Sequence, residues 1–359
     1  MEAVPSLSKT ESESQFQSDS HARASKEPSP LVSVIVLNWN GSHHLRTYLP
    51  SLLRTDYARL EIIVADNASE DDSLAVLTRE FPEVRVLAFE ENFGYCGGNN
   101  RAAAAASGDL LVFLNNDVRV EPNWLKPLTL LFERYPKLAA AQPKIRSDRN
   151  PAFFEYAGAA GGMLDQLGFP WCRGRVFDKL ERDVGQYDDY PAEIFWASGA
   201  ALCVRKKLFL EMGGFDEAFR LHMEEIDLCW RLQRAGWEIR LCPESVVWHW
   251  GGGSLAQGNP VKTYYNFRNS LAMLTKNYRE GALLPVLAAR LCTDALAGMR
   301  FLFQGEPAHQ RALFRAYRDF YQNITYWLEQ RARLRDRFNE TKPLTGFSPL
   351  SIVWKHFVG

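Results

Sequence analysis

Short apolar blocks, each closed by Asn, Asp, Ser or Gly, alternate with stretches of helical periodicity through the first third of the chain. Residues 31–37 read as a buried strand that exits into Asn38-Trp39-Asn40-Gly41, which is turn chemistry. The spacing predicts a helix over 43–54, a strand over 61–65 that ends in Asp66-Asn67-Ala68-Ser69, a helix over 70–81 and a third strand over 84–88. A loop over 92–99 follows, with glycines that let backbone approach a ligand closely. Residues 102–106 are strong helix formers. A fourth apolar strand, 110–114, stops abruptly at Asn115-Asn116-Asp117. This alternation predicts an α/β fold with a mainly parallel central sheet flanked by helices.

Further along, 124–135 reads as an amphipathic helix, and 143–191 as irregular chain with hairpins and loops, rich in Gly and aromatics. Residues 193–204 are strand-like around Ser198-Gly199; a helix is expected over 226–235, then short strands over 238–242 and 246–249. Beyond Gly253 the pattern is helical to about residue 338. The expected organisation is a disordered tail over 1–30, a catalytic domain over 31–275, a helical extension over 276–340 and a C-terminal tail over 341–359. The first segment is rich in Ser, Glu and Lys and has no apolar run, so it reads as neither a signal peptide nor an anchor. The apolar stretch 282–303 is interrupted by Arg290, Asp294 and Arg300 and fails as a membrane span.

Composition narrows the partners. The 359 residues are 46% hydrophobic with a formal net charge of -1, so no global basic field recruits nucleic acid. The six cysteines form no C-x-x-C pair or zinc spacing and read as small buried apolar residues in a reducing compartment. Ten tryptophans suit either sugar binding or a large core.

The exit of the fourth strand carries the first candidate chemistry. Ligands of open α/β sheets bind beyond the carboxyl ends of strands. An Asp there can hold a divalent cation together with a phosphate; the same residues can also form a plain turn.

Five patches occur in one order: Ser33 to Gly41, Val64 to Ser69, Asn92-Phe93-Gly94, Leu114 to Asp117, and Gly213-Gly214-Phe215-Asp216-Glu217 followed by Glu224-Glu225-Ile226-Asp227-Leu228-Cys229-Trp230-Arg231. Together they resemble glycosyltransferase family 2, inverting nucleotide-sugar enzymes of the GT-A fold, in their bacterial rhamnosyltransferase-like and galactofuranosyltransferase-like branch. The resemblance spans about residues 31–275 and implies a helical extension after the GT-A domain.

The resemblance implies a nucleotide cleft lined by Asn38, Asn40, Asp66, Asn67, Ser69, Asn92, Gly94, Asn99 and Asn116. Asp66 would accept the N3–H of a uracil or thymine, or else cap the helix from Glu70. Asn38 and Asn40 serve equally as turn residues, and Gly94 and Asn99 as loop shapers. Asp117 matches the last carboxylate of the D-x-D motif, whose first position is Asn115 here, a weaker ligand for a hard cation. His249 matches the metal-binding His, and with Asp117 it implies Mg²⁺ or Mn²⁺, the glycines after it leaving room for a diphosphate. Glu224-Glu225 matches an E-D pair whose second carboxylate is the catalytic base. Glu225 takes that role, with Glu224 and Asp227 as alternatives; Asp227 could also cap its helix, and all three suit the acidic start of a helix. Trp196 stacks on a sugar or belongs to the core. Arg268 pairs a phosphate or is a surface cation.

The expected function is inverting transfer of a sugar from a UDP or dTDP sugar, dTDP-rhamnose by branch, to a saccharide or lipid-linked saccharide in cell-surface polymer synthesis. A sugar nucleotidyltransferase is the rival, though the turn at 38–41 lacks its basic Gly-rich phosphate loop. A non-catalytic nucleotide-sugar-binding module is the other, prompted by Asn115 and Glu225. The location expected is cytoplasmic, peripheral at the inner membrane: 311–337 is basic with interleaved aromatics and reads either as a membrane-surface segment or as a packed helical appendage.

Overall fold

The computed structural model describes residues 29–156, 158–176, 179–189, 192–251, 258–338 and 343–353. The tail expected over 1–30 lies almost wholly outside them, as do Gly252 and Gly253.

The expected alternation forms. Strands β1 (Val32–Asn38), β2 (Leu60–Asp66), β3 (Arg85–Ala88) and β4 (Leu110–Asn115) are joined through helices α1 (Ser42–Leu53), α2 (Ser73–Glu80) and α3 (Gly94–Ala105). Then come β5 (Val118–Val120), α4 (Leu125–Arg134), β6 (Leu138–Ser147), β11 (Ala201–Arg205), α5 (Lys206–Glu211), α6 (Glu224–Arg234) and β12 (Glu238–His249). One eight-stranded sheet runs in the order β3-β2-β1-β4-β11-β6-β12-β5. Its first four strands are parallel. Beyond β4 it turns mixed, because β11 runs antiparallel to both β4 and β6. Between β6 and β11 a second sheet holds β7 (Gly162–Asp165), β8 (Pro170–Cys172), β9 (Arg175–Val176) and β10 (Lys179–Leu180), with β13 (Phe347–Ser348) on its edge.

The strand period of two divides the core. Val32, Val34 and Val36 of β1 pack with Leu45 and Leu49 of α1 and Leu128 of α4. Ile35 faces the other way, toward Ala102 of α3, Phe209 of α5 and Leu228 of α6. Helices on both faces explain why β4 is apolar from Leu110 through Leu114.

Three local expectations change. The 92–99 loop ends at Gly94, where α3 begins, so Asn99 lies on a helix. The second helix starts at Ser73, with Asp72 at its N-cap, so Asp66 caps nothing from Glu70. The two strands expected over 238–249 are one bulged strand, β12.

After the sheet come α7 (Pro260–Asn277), α8 (Leu283–Phe303), α9 (Pro307–Gln322) and α10 (Ile324–Arg337). Among the described residues no helix is long and apolar enough to cross a membrane. Five cysteines are buried thiols as expected, whereas Cys292 is exposed.

Candidate active site

Strands β1, β2 and β4 end together. Asn38 pairs in register with Asp66, and Leu37 with Asn115. The chain runs from β1 outward to β3 and returns to β4 on the other side of β1, so the switch point of the sheet lies between β1 and β4. Asn116 Nδ2 donates to Asn38 Oδ1 across that point (2.9 Å), and Asn38 Nδ2 donates to Asp66 Oδ1 (3.1 Å).

Ser69 closes the turn after β2: its amide donates to Asp66 Oδ2 and its hydroxyl to Asp66 Oδ1. Asn40, at a left-handed φ of 50°, donates its amide to Ser69 Oγ and accepts the Glu70 amide on Oδ1. Asn67 bridges to the next loop, its Oδ1 accepting from Phe93 N and its Nδ2 donating to Asn92 Oδ1 and the Gly94 carbonyl. Asp66 and Asn38 are fully buried under this network, while Trp39 between the two turns is 56% exposed. Asn99 sits inside the third helix and donates to the Tyr95 carbonyl one turn back. It shapes that helix rather than a loop.

At the ends of β4 and β12, Asp117 Oδ1 stands 3.1 Å from His249 Nε2, and both residues are buried. Asn115 Nδ2 is 3.4 Å from the same nitrogen. The other ring nitrogen, Nδ1, lies 3.3 Å from Glu155 Oε2. Burial alone would lower the imidazole pKa, but Asp117 and Glu155 outweigh it and push His249 up to about 10. Burial likewise opposes ionisation of Asp117, and His249 reverses that to hold its carboxyl below the usual range.

These donors fit a divalent cation. A carboxylate oxygen and an imidazole nitrogen 3.1 Å apart are spaced as neighbouring ligands on one ion with bonds of about 2.1 Å. Glu155 behind the ring supplies the outer partner that metal-bound histidines require. Among the described residues no group of three or more His, Cys, Asp and Glu forms a complete cage. The site therefore suits an ion that shares its coordination with a ligand's oxygens. Glu155 lies in the stretch expected to be irregular, and nothing in its sequence context marks it. His44 on α1 also stands in the field of Asp117 and His249.

The carboxylate pair opens α6. Three of the four residues just upstream have positive φ: Arg220 (61°), His222 (67°) and Met223 (73°), the last being the N-cap of α6. Such strain persists only where surrounding contacts impose it. Here α7 imposes it. Asn269 Nδ2 donates to the carbonyls of Phe219, Leu221 and His222, and Arg268 to those of Ala218 and Phe219. Arg268 is thus a backbone clamp through Nη2, with Nε donating to Asn269 Oδ1.

Glu224 is buried and Glu225 half-buried, and the Oε2 atoms of both are enclosed without a hydrogen-bond partner. Burial and the neighbouring Glu225 push Glu224 well above the carboxylate range. Burial pushes Glu225 up to about 7, with backbone amides opposing. Asp227 differs. Burial is outweighed by Lys276, Arg231 and Asn277, which hold it below the usual range. Its Oδ2 accepts from Arg231 (2.9 Å) and Lys276 (3.0 Å), and its Oδ1 from Asn277 (2.7 Å). It is neither cap nor free base but the anchor of α6 on α7.

Backbone contacts join the two halves. Asn115 N donates to the Ala200 carbonyl, Tyr95 Oη to the Gly199 carbonyl, and the space where a side chain at 199 would stand is bounded by Tyr95 and Glu225. Trp196, four residues upstream, is core: its indole lies against Gly162 and donates to the Met163 carbonyl, so it has no face left for a sugar.

The layered sheet with its site at the switch point defines a GT-A glycosyltransferase, and comparison with known proteins agrees. Residues 33–185 match the profile described as Glycosyl transferase family 2. The N-acetylglucosaminyl-diphospho-decaprenol L-rhamnosyltransferase of Mycobacterium tuberculosis is 29% identical over 61% of this chain and 76% of its own. The O-antigen biosynthesis protein RfbC of Myxococcus xanthus is 29% identical over 66% of this chain but only 18% of its own length. Among solved structures, GalNAc-T7 with UDP, GalNAc and Mn²⁺ superposes with a TM-score of 0.53 at 18% identity, over 69% of this chain and 48% of that one. Residues 33–185 thus carry glycosyltransferase family 2 sequence, and the chain is rhamnosyltransferase-like.

Proposed function

We propose that this glycosyltransferase moves a sugar from a nucleoside-diphosphate sugar to an acceptor hydroxyl with inversion, using Glu225 as base. The observation that carries this is the enclosed, partnerless Oε2 of Glu225, on a side chain that borders the space beside Gly199, next to the Ala200 carbonyl that accepts from Asn115 at the end of β4. The acceptor oxygen bonds to the anomeric carbon, the bond to the diphosphate breaks, and Glu225 takes the hydroxyl proton. A pKa near 7 suits a base that must accept a proton and release it again at neutral pH. Burial and Glu225 both oppose a second negative charge on the neighbouring Glu224. A divalent cation, Mg²⁺ or Mn²⁺, would neutralise charge on the departing diphosphate when held by Asp117 and His249 beside Asn115.

Asn38, Asn40, Asp66, Asn67, Ser69, Asn92, Gly94 and Asn116 form the wall assigned to the nucleotide. A carboxylate has about four acceptor positions, so Asp66, with three protein donors, keeps one for a base N3–H. That favours UDP or dTDP over GDP donors. The mycobacterial relative's name specifies rhamnosyl transfer to a lipid-linked saccharide, which supports dTDP-rhamnose and a lipid-linked acceptor here, at the cytoplasmic face of a membrane. A donor panel with Mn²⁺, read by product formation and thermal stabilisation, tests this. Stabilisation by GDP rather than UDP or dTDP refutes the Asp66 role. Full transfer by Glu225→Gln refutes the base.

A further inference from the structure

Helix α8 packs Leu283, Val286 and Leu287 partly against the core, yet its fully buried positions are not the apolar ones and much of its apolar surface faces outward. Its buried residues are Arg290, Asp294 and Gly298. Leu284, Leu291, Leu296, Met299 and Leu302 are between 47% and 78% exposed, and Phe303 is 87% exposed. Positions 284, 288, 291, 295, 299 and 302 recur at three and four and carry only Leu, Ala and Met. They make one apolar stripe along a helix about 30 Å long. A helix on a globular surface normally turns that stripe inward.

The inward polar face is fully used. Arg290 pairs with Asp294 (3.3 Å) and donates to Ser270 Oγ and the Leu167 carbonyl, while Tyr317 Oη donates to Asp294 Oδ2 (2.8 Å). These bonds fix the rotation of α8, so the apolar stripe is the designed outer surface. Apolar patches of several hundred Å² on a surface mark interaction sites.

The charge beside the stripe indicates the partner. Phe301 stacks on His309 of α9 (5.3 Å between rings), and His309 Nδ1 is 2.7 Å from Thr263 Oγ1 of α7. Three helix ends therefore meet at one corner. Arg311 and Arg315 line a cleft there of about 260 Å³ with Tyr264 and Tyr265. Arg318 pairs with Asp319 (2.8 Å), which Arg315 also reaches (3.6 Å); Arg300 donates to Gln304, and Phe314 is 67% exposed.

We propose that the outer face of α8 and the adjoining start of α9 dock on an anionic phospholipid surface, α8 lying in the plane of the interface. Apolar side chains would enter the acyl boundary while flanking arginines meet lipid phosphates. Two like copies facing each other through this corner would oppose arginine to arginine, which disfavours a self-association surface. No helix of the described chain spans a bilayer, so the contact is peripheral. The proposal is independent of the transfer chemistry.

The test is co-sedimentation of the full chain with vesicles of phosphatidylcholine alone or with about one-third phosphatidylglycerol at low salt, where attraction is least screened. Wild type is expected to pellet with the anionic vesicles and to be released by salt. Leu291→Glu with Leu302→Glu should weaken binding by about tenfold or more, because both the apolar insertion and the charge match are lost. Arg311→Gln with Arg315→Gln should weaken it by roughly twentyfold, at about fivefold for each cation near the surface. Both double variants should keep the wild-type melting temperature. Wild type left in the supernatant, or a Glu variant that pellets equally, overturns the proposal. So does a vesicle-free dimer that the Glu variant converts to monomer, which would assign the face to a second copy.

Discussion

Glu225 and Asp227 sit two residues apart in the first turn of α6, and the protein treats them in opposite ways. Two residues along a helix rotate a side chain about 200°, onto the opposite face. Asp227 points to α7 and finds Lys276, Asn277 and Arg231, so both of its oxygens have donors. Glu225 keeps an oxygen with no partner and shares its surroundings with a second carboxyl. One face of the turn holds the helix in place. The other is left electrostatically unsatisfied, the condition expected where a group must exchange protons with a substrate.

The contrast breaks most visibly in turnover. Glu225→Gln should lower kcat by about 10²–10⁴-fold while the protein melts at or above the wild-type temperature, since a strained carboxylate is replaced by a neutral amide. Measured transfer and a thermal scan on the same preparation check both halves. Asp227→Ala should do the reverse. It strips buried Arg231 of its carboxylate and leaves Lys276 with Asp216 alone, and should cost about 3–5 kcal/mol, read as a drop in the denaturant midpoint. If both variants only unfold the protein, the division of labour on α6 is wrong.

A smaller effect concerns Glu155, which the fold brings to the far side of His249. Glu155→Gln should weaken Mn²⁺ binding by about 10–100-fold, measured by the signal of free Mn²⁺ in electron paramagnetic resonance, with Asp117→Ala as the reference for loss of the ion. Unchanged affinity would make Glu155 a bystander. If the wild type itself binds no Mn²⁺, the cation assignment fails with it.

The least severe perturbation is pH. Burial raises Glu225 to about 7, so the base is protonated below that value and ionised above it. Transfer should therefore fall about tenfold per unit as pH drops below 7, and the residual rate of Glu225→Gln should lack that limb. Stability moves the other way. A carboxyl whose folded pKa is raised binds its proton more tightly in the folded state, so its contribution declines as pH rises from the ordinary carboxylate range through about 7. The anchored Asp227, with its folded pKa lowered, contributes above the ordinary range and loses that contribution as acid protonates it.

The strands β1, β2 and β4 and their polar exits were legible because a buried parallel strand is continuously apolar and the turn after it is not. Asn38, Asp66 and Asp117 follow from that pattern, and the structure brings all three to one edge of the sheet. Strand β6 was missed. Its Leu-Ala-Ala-Ala-Gln-Pro run has little strand propensity, yet it lies buried between β11 and β12.

Short-range order along the chain decided the elements, because the periods of two and 3.6 are local properties of the backbone. It also set which residue types stand at the strand exits. Only the tertiary structure decided which carboxylate is free. The partners that silence Asp227 arrive from 49 and 50 residues downstream, and no local pattern records them. The same holds for Trp196, taken into the core by Gly162, for Arg268, clamped on the carbonyls of a strained loop, and for Glu155, set behind His249. It holds for α8 as well. Periodicity shows that a helix has an apolar face, but which way that face points depends on what the opposite side meets, and here Ser270 and Tyr317 bind the polar side inward.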